Sequence, residues 1–429
     1  MIHKVRVEQI TVPVIRQVLK SPRLTQAIFG RMRWGNLFDE RHLRDPYEDI
    51  EDYISDGYVT YHRTYQSWFV MGYAESLAVL SSPKVGVGDR FQQLVQIRPF
   101  SQLSDQSRGD IVNWLLGVDP PDHTRLRRLV SRTFTPKRIA EMEPRITAVA
   151  DELLSKIANE SAPEVVSSFA GPLPVYAIGD ILGLPRERWD WLREISDDIV
   201  ALIDPFRGFD HKLVDRRLHE LSDYILELAA ERRVNPRDDL LSALAEVSDD
   251  GDRLSERELV AMVEFLMMAG HETTTGAISN SLFALDRFPE QQAKLRSEPE
   301  LLDNAVEELL RFETPVLGDP RVAQEDIEIA GVTIPAGATI TLLLGVANRD
   351  KRRFSDADQL VLNRVEPKPI SFGHGIHHCI GAALARLELK ISIARFLEAF
   401  PDYRIDPDEI EWKPSITLRR PDAMVVHRA

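Results

Sequence analysis

A single cysteine, Cys379, in 429 residues leaves this chain no internal disulfide and no cysteine cluster for a structural zinc or iron–sulfur site. No apolar run approaches the roughly 18 residues that a membrane-spanning helix needs, and charges interrupt the N-terminal stretch that a secretory signal would occupy. Positive charge is in deficit: the formal net charge is −15, which argues against non-specific nucleic-acid binding through a basic face. Internal repeats, low-complexity tracts and Gly/Ser/Pro-rich linkers are also missing. The chain therefore reads as one large domain, 43% hydrophobic and able to bury a sizeable core, in a reducing, cytoplasmic setting and without a transmembrane anchor.

The basic residues that are present are unevenly placed. Met1 to Trp34 carries Lys4, Arg6, Arg16, Lys20, Arg23, Arg31 and Arg33 against one acid, Glu8. Residues 1–44 are read as a basic N-terminal extension and 45–429 as the domain proper. Contact of that extension with anionic lipid or a partner competes with the blander reading of a solvated segment packed on its own domain, and the second is preferred.

Cys379 lies in Phe372-Gly-His-Gly-Ile-His-His-Cys-Ile-Gly381, just ahead of a helical pattern formed by Leu384, Leu387, Ile391 and Phe396. Three glycines allow the loop to curl so that backbone N–H groups point at the sulfur, and the following helix start favours a thiolate. A buried inert thiol is the ordinary fate of a lone cysteine. A nucleophile assisted by His377 or His378 and a phosphate-cradling glycine loop fit the pattern poorly, since His378 occupies the position where a third glycine is required. A metal ligand is the remaining reading, and a haem needs only one axial sulfur from the protein.

Elsewhere, Ser255 and Glu258 form a capping box for a helix reaching Arg287, about 32 residues or roughly 48 Å. Its middle, Ala269-Gly-His-Glu-Thr-Thr274, puts an acid and hydroxyls into an apolar stretch, where they cost free energy unless used; hydroxyl back-bonding within the helix is the bland alternative. His123 and Arg127 share a face of a helix with Asp119 as its expected N-cap. A hairpin is expected over Val59 to Tyr73, a helix over Ala74 to Ser81, an adaptable loop between Val85 and Phe100, and helices over Ile146 to Ala158, Trp189 to Ile203 and Leu213 to Arg232, with a loop at Asp204 to Phe209. Strands are expected over Val332 to Pro335 and Ala338 to Val346.

The motif Phe-Gly-x-Gly-x-His-x-Cys-x-Gly resembles the haem-binding signature of the cytochrome P-450 family of haem-thiolate monooxygenases. The resemblance implies a mainly α fold with a smaller β part, haem b (iron protoporphyrin IX) with Cys379 as axial ligand, and His123, Arg127, Arg321 and His377 on its propionates. It implies that Gly270 makes room for O₂ and that Glu272 and Thr273 form an acid–alcohol pair for protons. Glu308 and Arg311 match the family's Glu-x-x-Arg, with Arg364 as third member, and Pro172-Leu-Pro-Val resembles the turn before a family helix. The activity implied is insertion of one atom of O₂ into an apolar molecule such as a lipid, steroid or terpenoid. Phe91, Leu94, Phe265, Leu266, Pro315, Val316, Leu317, Ile416 and Thr417 are expected to line the pocket. Electrons would come from ferredoxin and ferredoxin reductase, docking near Arg125, Arg128, Arg132, Arg386 and Lys390. Two alternatives stay open: a peroxide-using or merely haem-binding relative, and a cysteine hydrolase built on Cys379 and His377.

Overall fold

The computed structural model describes residues 40–63, 65–132, 134–202, 209–246, 248–249, 252–366, 368–415 and 417–428. Most of the basic extension, nearly all of the loop expected at Asp204 to Phe209, and Ile416 lie outside the described residues.

Val59–His62 (β1) and Ser67–Val70 (β2) form the expected antiparallel hairpin, followed by Tyr73–Ser81 (α1) and the short Val85–Gly86 (β3). The Ser104 hydroxyl caps Asp105–Val112 (α2) by accepting from the Ser107 N–H. Asp122–Ser131 (α3) carries His123 and Arg127. Asp119 does not cap it. It stands three residues ahead of the first helical residue, and its carboxylate accepts instead from the Val87 and Gly88 N–H groups at 2.9 and 2.8 Å, pinning the loop that follows β3.

Glu143–Ile157 (α4) is followed by Pro172–Ile181 (α5), Trp189–Ile199 (α6) and His211–Val234 (α7). The stretch beginning at Pro172 is thus a helix rather than a turn. A proline at the first helical position gives up only an N–H that would have no partner there, and the apolar residues behind it are buried. The Asp210 carboxylate caps α7 by accepting from Lys212 and Leu213.

Glu256–Arg287 (α8) starts at the expected capping box, with the Ser255 and Glu258 side chains each bonded to the other's backbone N–H. Apart from its middle it is apolar on most faces, so it runs through the core, packed against α4's neighbours α5 and Ala382–Ala399, with α7 alongside. Leu302–Phe312 (α9) leads to Gly318–Ala323 (β4) and Thr339–Leu343 (β5), and Ala382–Ala399 is α10. Strand β5 stops at Leu343, short of the expected Val346, because Leu344–Ala347 turns helical. Glu411–Trp412 (β6) and Pro421–Ala423 (β7) close a C-terminal hairpin.

The main sheet has the order β1-β2-β5-β4-β3, with β2 and β5 parallel and the other pairs antiparallel. One apolar core is helical and centred on α8; a second lies under the sheet. The result is the mainly α domain with a smaller β part that the sequence implies.

Candidate active site

The cysteine loop is held from behind by a buried polar network. Arg311 on α9 donates to both oxygens of Glu308 at 2.6 and 2.8 Å, and Arg364 donates to the same carboxylate at 2.9 Å. All three are nearly inaccessible; the two guanidinium groups share the Glu308 carboxylate, and Arg364 also reaches Glu366 at 3.4 Å. Arg311 also donates to the Asn348 and Ala357 carbonyls at 3.0 and 2.8 Å. Asn348 continues the chain of bonds: its amide nitrogen reaches Ser371 Oγ at 2.8 Å, its amide oxygen accepts from the Ile370 N–H at 2.9 Å, and Ser371 donates to the Leu310 carbonyl at 2.8 Å. The network ends one residue before Phe372, where the loop begins. Asn348 carries no motif, and the sequence reading missed it.

Within the loop, Gly375 has φ +70°, and a Cβ there would lie 2.2 Å from the Leu80 carbonyl oxygen on α1. Only glycine fits. The Cys379 N–H donates to the Phe372 carbonyl at 2.9 Å, which folds the loop back on itself and turns the sulfur into a cavity. Burial pushes the Cys379 thiol up; a backbone hydrogen bond from Gly381 and the charges of Arg127 and Arg386 oppose it.

That cavity has a volume of about 1560 Å³. A single small-molecule pocket occupies roughly 300–1,000 Å³, so this one has room for a prosthetic group and a substrate together. Arg90, His123, Arg127, Arg321 and His377 form a basic cluster in its wall. The His123 and His377 rings lie 4.2 Å apart between centroids. Both nitrogens of His123 and Nε2 of His377 are buried without a hydrogen-bond partner among the described residues. Burial, then His123, Arg321, Arg127 and Arg90, push His377 down to about 3, and burial with Arg127 pushes His123 down as well. Orphaned imidazole nitrogens amid guanidinium groups call for anionic acceptors, which the two propionates of a haem supply. The donors present therefore fit a haem whose iron meets Cys379.

On the facing wall, α8 brings Ala269, Gly270, Thr273 and Thr274 to the cavity. A Cβ on Gly270 would lie 2.8 Å from Ile178 Cδ1, so this glycine also lets α5 approach closely, while the helix stays α-helical through it. The Thr273 hydroxyl donates to the Ala269 carbonyl at 2.6 Å, and Thr275 and Ser279 back-bond in the same way. Of these three, only Thr273 faces the cavity.

Glu272 and Thr273 are neighbours in sequence but not in environment. Glu272 does not line the cavity; it is buried behind α8 in ion pairs with Lys413 and with Arg420, the latter at 2.9 Å. Burial pushes its carboxyl up, but Arg420 and Lys413 outweigh this and hold it at about 2. Next to it, His271 Nδ1 meets Ser196 Oγ of α6 at 2.8 Å.

Of the expected pocket residues, Phe91, Leu94, Phe265, Leu266, Pro315, Val316 and Thr417 line the cavity. Leu317 does not: alternation along extended chain turns it the other way, towards Gly345. In the expected docking patch, Arg125 pairs with Glu258, Arg386 with Glu307 at 2.6 Å and Lys390 with Asp303 at 2.7 Å. Arg128 and Arg132 are exposed.

A lone cysteine sulfur on a tight loop, a cluster of basic side chains beside it and an apolar chamber opposite are an arrangement that suits a haem-thiolate enzyme. The chain belongs to the cytochrome P-450 family: the family model described as Cytochrome P-450 matches residues 185–422. Cytochrome P-450 107B1 of Saccharopolyspora erythraea is 40% identical over 362 residues, 82% of this chain and 87% of that protein. The vitamin D(3) 25-hydroxylase of Pseudonocardia autotrophica is 39% identical over 356 residues, 82% and 85% of the two chains. Among solved structures, the cytochrome P-450 PksS of the Bacillus subtilis bacillaene polyketide synthase superposes with a TM-score of 0.82 at 31% identity, covering 91% of this chain and 99% of that one. The protein is thus a haem b monooxygenase that inserts one atom of O₂ into an apolar small molecule and draws electrons from redox partners. The hydrolase alternative falls. No helix among the described residues is long and apolar enough to cross a membrane.

Proposed function

We propose that Cys379 would hold the haem iron through its sulfur and that His123, Arg127, Arg321 and His377 would hold the haem propionates. The observation that carries this assignment is the set of buried imidazole nitrogens without a hydrogen bond in the same cavity wall as the sulfur, His377 Nε2 having only the Asp119 carboxylate 3.9 Å away. When bound, the haem supplies activation of O₂, one atom going to the substrate and the other leaving as water. The chain's own residues govern protons and access. Thr273 holds a hydroxyl at the cavity wall that can leave its bond to the Ala269 carbonyl and donate inward. Glu272 lies one position behind it, ionised and fixed by Lys413 and Arg420, and passes protons from outside when those pairs loosen. Gly270 lines the same wall beside Thr273, and room for O₂ there would come from its bare backbone, since Ile178 fills the space a side chain would take. This acid–alcohol arrangement favours an enzyme using delivered electrons over a peroxide user.

The apolar walls from Phe91, Leu94, Phe265 and Leu266 select a hydrophobic substrate and exclude water. Ferredoxin, reduced by ferredoxin reductase, is the proposed donor, meeting the exposed Arg128 on α3 and Arg132 just beyond its end, a cytoplasmic arrangement. Residues 1–44 are proposed as an extension to the enzyme domain 45–429. The test is the carbon monoxide complex of the reduced protein: the red-shifted Soret band of thiolate ligation is expected, and its loss in Cys379→Ser. A folded wild-type protein that holds haem but shows a histidine-type spectrum overturns the assignment. For the donor, Arg128→Glu with Arg132→Glu is expected to slow reduction by ferredoxin, most at low salt; an unchanged rate refutes that part alone.

A further inference from the structure

The charged residues around the cavity are Arg90, Arg98, Arg127, Asp319, Arg321 and Glu388. Four have an evident role, and a fifth, Glu388, is inaccessible from outside. Arg90 donates to the Pro320 carbonyl at 2.6 Å, Asp319 pairs with Arg321, and Arg127 belongs to the propionate cradle. Glu388 is buried, and burial keeps its carboxyl well above the ordinary range. Arg98 is different. It is exposed at the edge of the cavity, and no hydrogen bond or ion pair joins it to any described residue.

Its neighbours sharpen the contrast. Ile97 lines the same cavity yet is 50% exposed, an apolar surface beside an unengaged cation. The other polar residues from this segment, Gln93 and Gln96, are neutral amides. From the turn of the β1–β2 hairpin, Tyr65 also lines the cavity, with its hydroxyl buried and lacking any hydrogen-bond partner. A buried hydroxyl without a partner costs free energy that a ligand oxygen would recover. In a protein of net charge −15, a rim arginine with no acid in reach leaves its fork for something from outside.

We propose that the substrate is an apolar molecule ending in a carboxylate, which Arg98 grips at the cavity mouth while Ile97 covers the start of its apolar body. The inference rests on the monooxygenase reading of the cavity. With Arg90 already committed to the Pro320 carbonyl, one unengaged guanidinium matches a singly charged planar group, which it can meet with two parallel bonds, better than a phosphate dianion. Tyr65 supplies a neutral donor within the cavity. Anchoring one end at the rim fixes which part of the molecule lies beside Gly270 and Thr273 on the wall facing Cys379, so Arg98 acts as a specificity-determining residue rather than a catalytic one.

The experiment titrates the ferric holoenzyme with tetradecanoic acid, its methyl ester and tetradecan-1-ol, reading the low-to-high spin shift and, in parallel, heat of binding. The acid is expected to bind about three- to tenfold tighter than the ester at low salt, the range of a partly exposed charge-assisted contact, with the preference shrinking at high salt. Arg98→Gln should bring acid and ester to equal affinity without weakening the ester, and Arg98→Lys should retain part of the preference. Equal affinities in the wild type, failure of the acid to bind, or a preference that survives Arg98→Gln overturns the proposal. A preparation with haem but no thiolate spectrum overturns instead the reading beneath it.

Discussion

Glu264 on α8 is fully inaccessible, and the Trp114 indole Nε1 donates to one of its carboxyl oxygens at 3.4 Å. The other oxygen has no partner among the described residues. Burial, reinforced by the Asp110 carboxylate and only weakly opposed by Trp114, pushes this carboxyl well above the usual range. The folded protein therefore keeps a proton on Glu264 at pH values where the unfolded chain has released it. The stability belonging to that proton is complete below the unfolded carboxyl pKa, near 4.3, and drains away as pH rises from there towards the folded value. The slope is about 1.4 kcal/mol per pH unit. With an unfolding entropy of about 2.1 cal/mol/K per residue over 429 residues, each pH unit should lower the melting midpoint by about 1.5 °C. Glu264→Gln keeps the volume and a hydrogen-bonding end but cannot ionise. Its melting midpoint, followed by circular dichroism on the holoenzyme from about pH 5 upwards, should fall less steeply than that of the wild type, by up to this amount, until the folded carboxyl has released its proton. Comparing the two proteins at each pH cancels the groups they share, including the similarly buried Glu388. Parallel pH profiles would refute the reasoning.

Three further outcomes follow from the geometry. Glu308→Gln removes the shared counter-charge of Arg311 and Arg364 and is expected to cost about 3–5 kcal/mol, seen as a lower unfolding midpoint and poor haem retention; a midpoint within error of the wild type would contradict the network's role. Thr273→Ala should preserve haem content and substrate binding while diverting reducing equivalents into hydrogen peroxide, measured as product per NAD(P)H consumed. Wild-type coupling in that variant would leave back-bonding as its whole purpose. Gly270→Val should push against Ile178 and weaken substrate-induced spin change, whereas normal binding titrations would show that α5 yields freely.

Residues that act through local pattern were legible in the sequence. The capping box of α8, the glycine loop ahead of α10 and the i,i+3 pair on α9 each depend on neighbours a few positions away, and each stands where expected. Arg364 was reached only through resemblance, yet it does complete the triad. What spacing could not reveal is direction. Glu272 follows from its motif, but its orientation is set by Lys413 and Arg420, which are distant in sequence. The same holds for Asn348, which owes its place to contacts with Arg311 and Ser371, and for Asp119, drawn to the backbone of Val87 and Gly88 rather than to its own helix. Leu317 was misassigned because one residue of register in extended chain reverses a side chain.

The pairing of Glu272 with the C-terminal hairpin also bears on how the molecule is made. Helix α8 leaves the ribosome with a carboxylate destined for burial, and its counter-ion Lys413 is 141 residues further along. Asn280 on the same helix waits as well, donating to the Arg419 carbonyl at 2.9 Å, while Gly276 packs against that carbonyl. Until those last residues emerge, the centre of α8 cannot settle without an uncompensated charge, so docking of the hairpin is a late step of biogenesis that closes the core. A nascent chain stalled ahead of Lys413 should expose this helix to proteases, and the full-length chain should protect it.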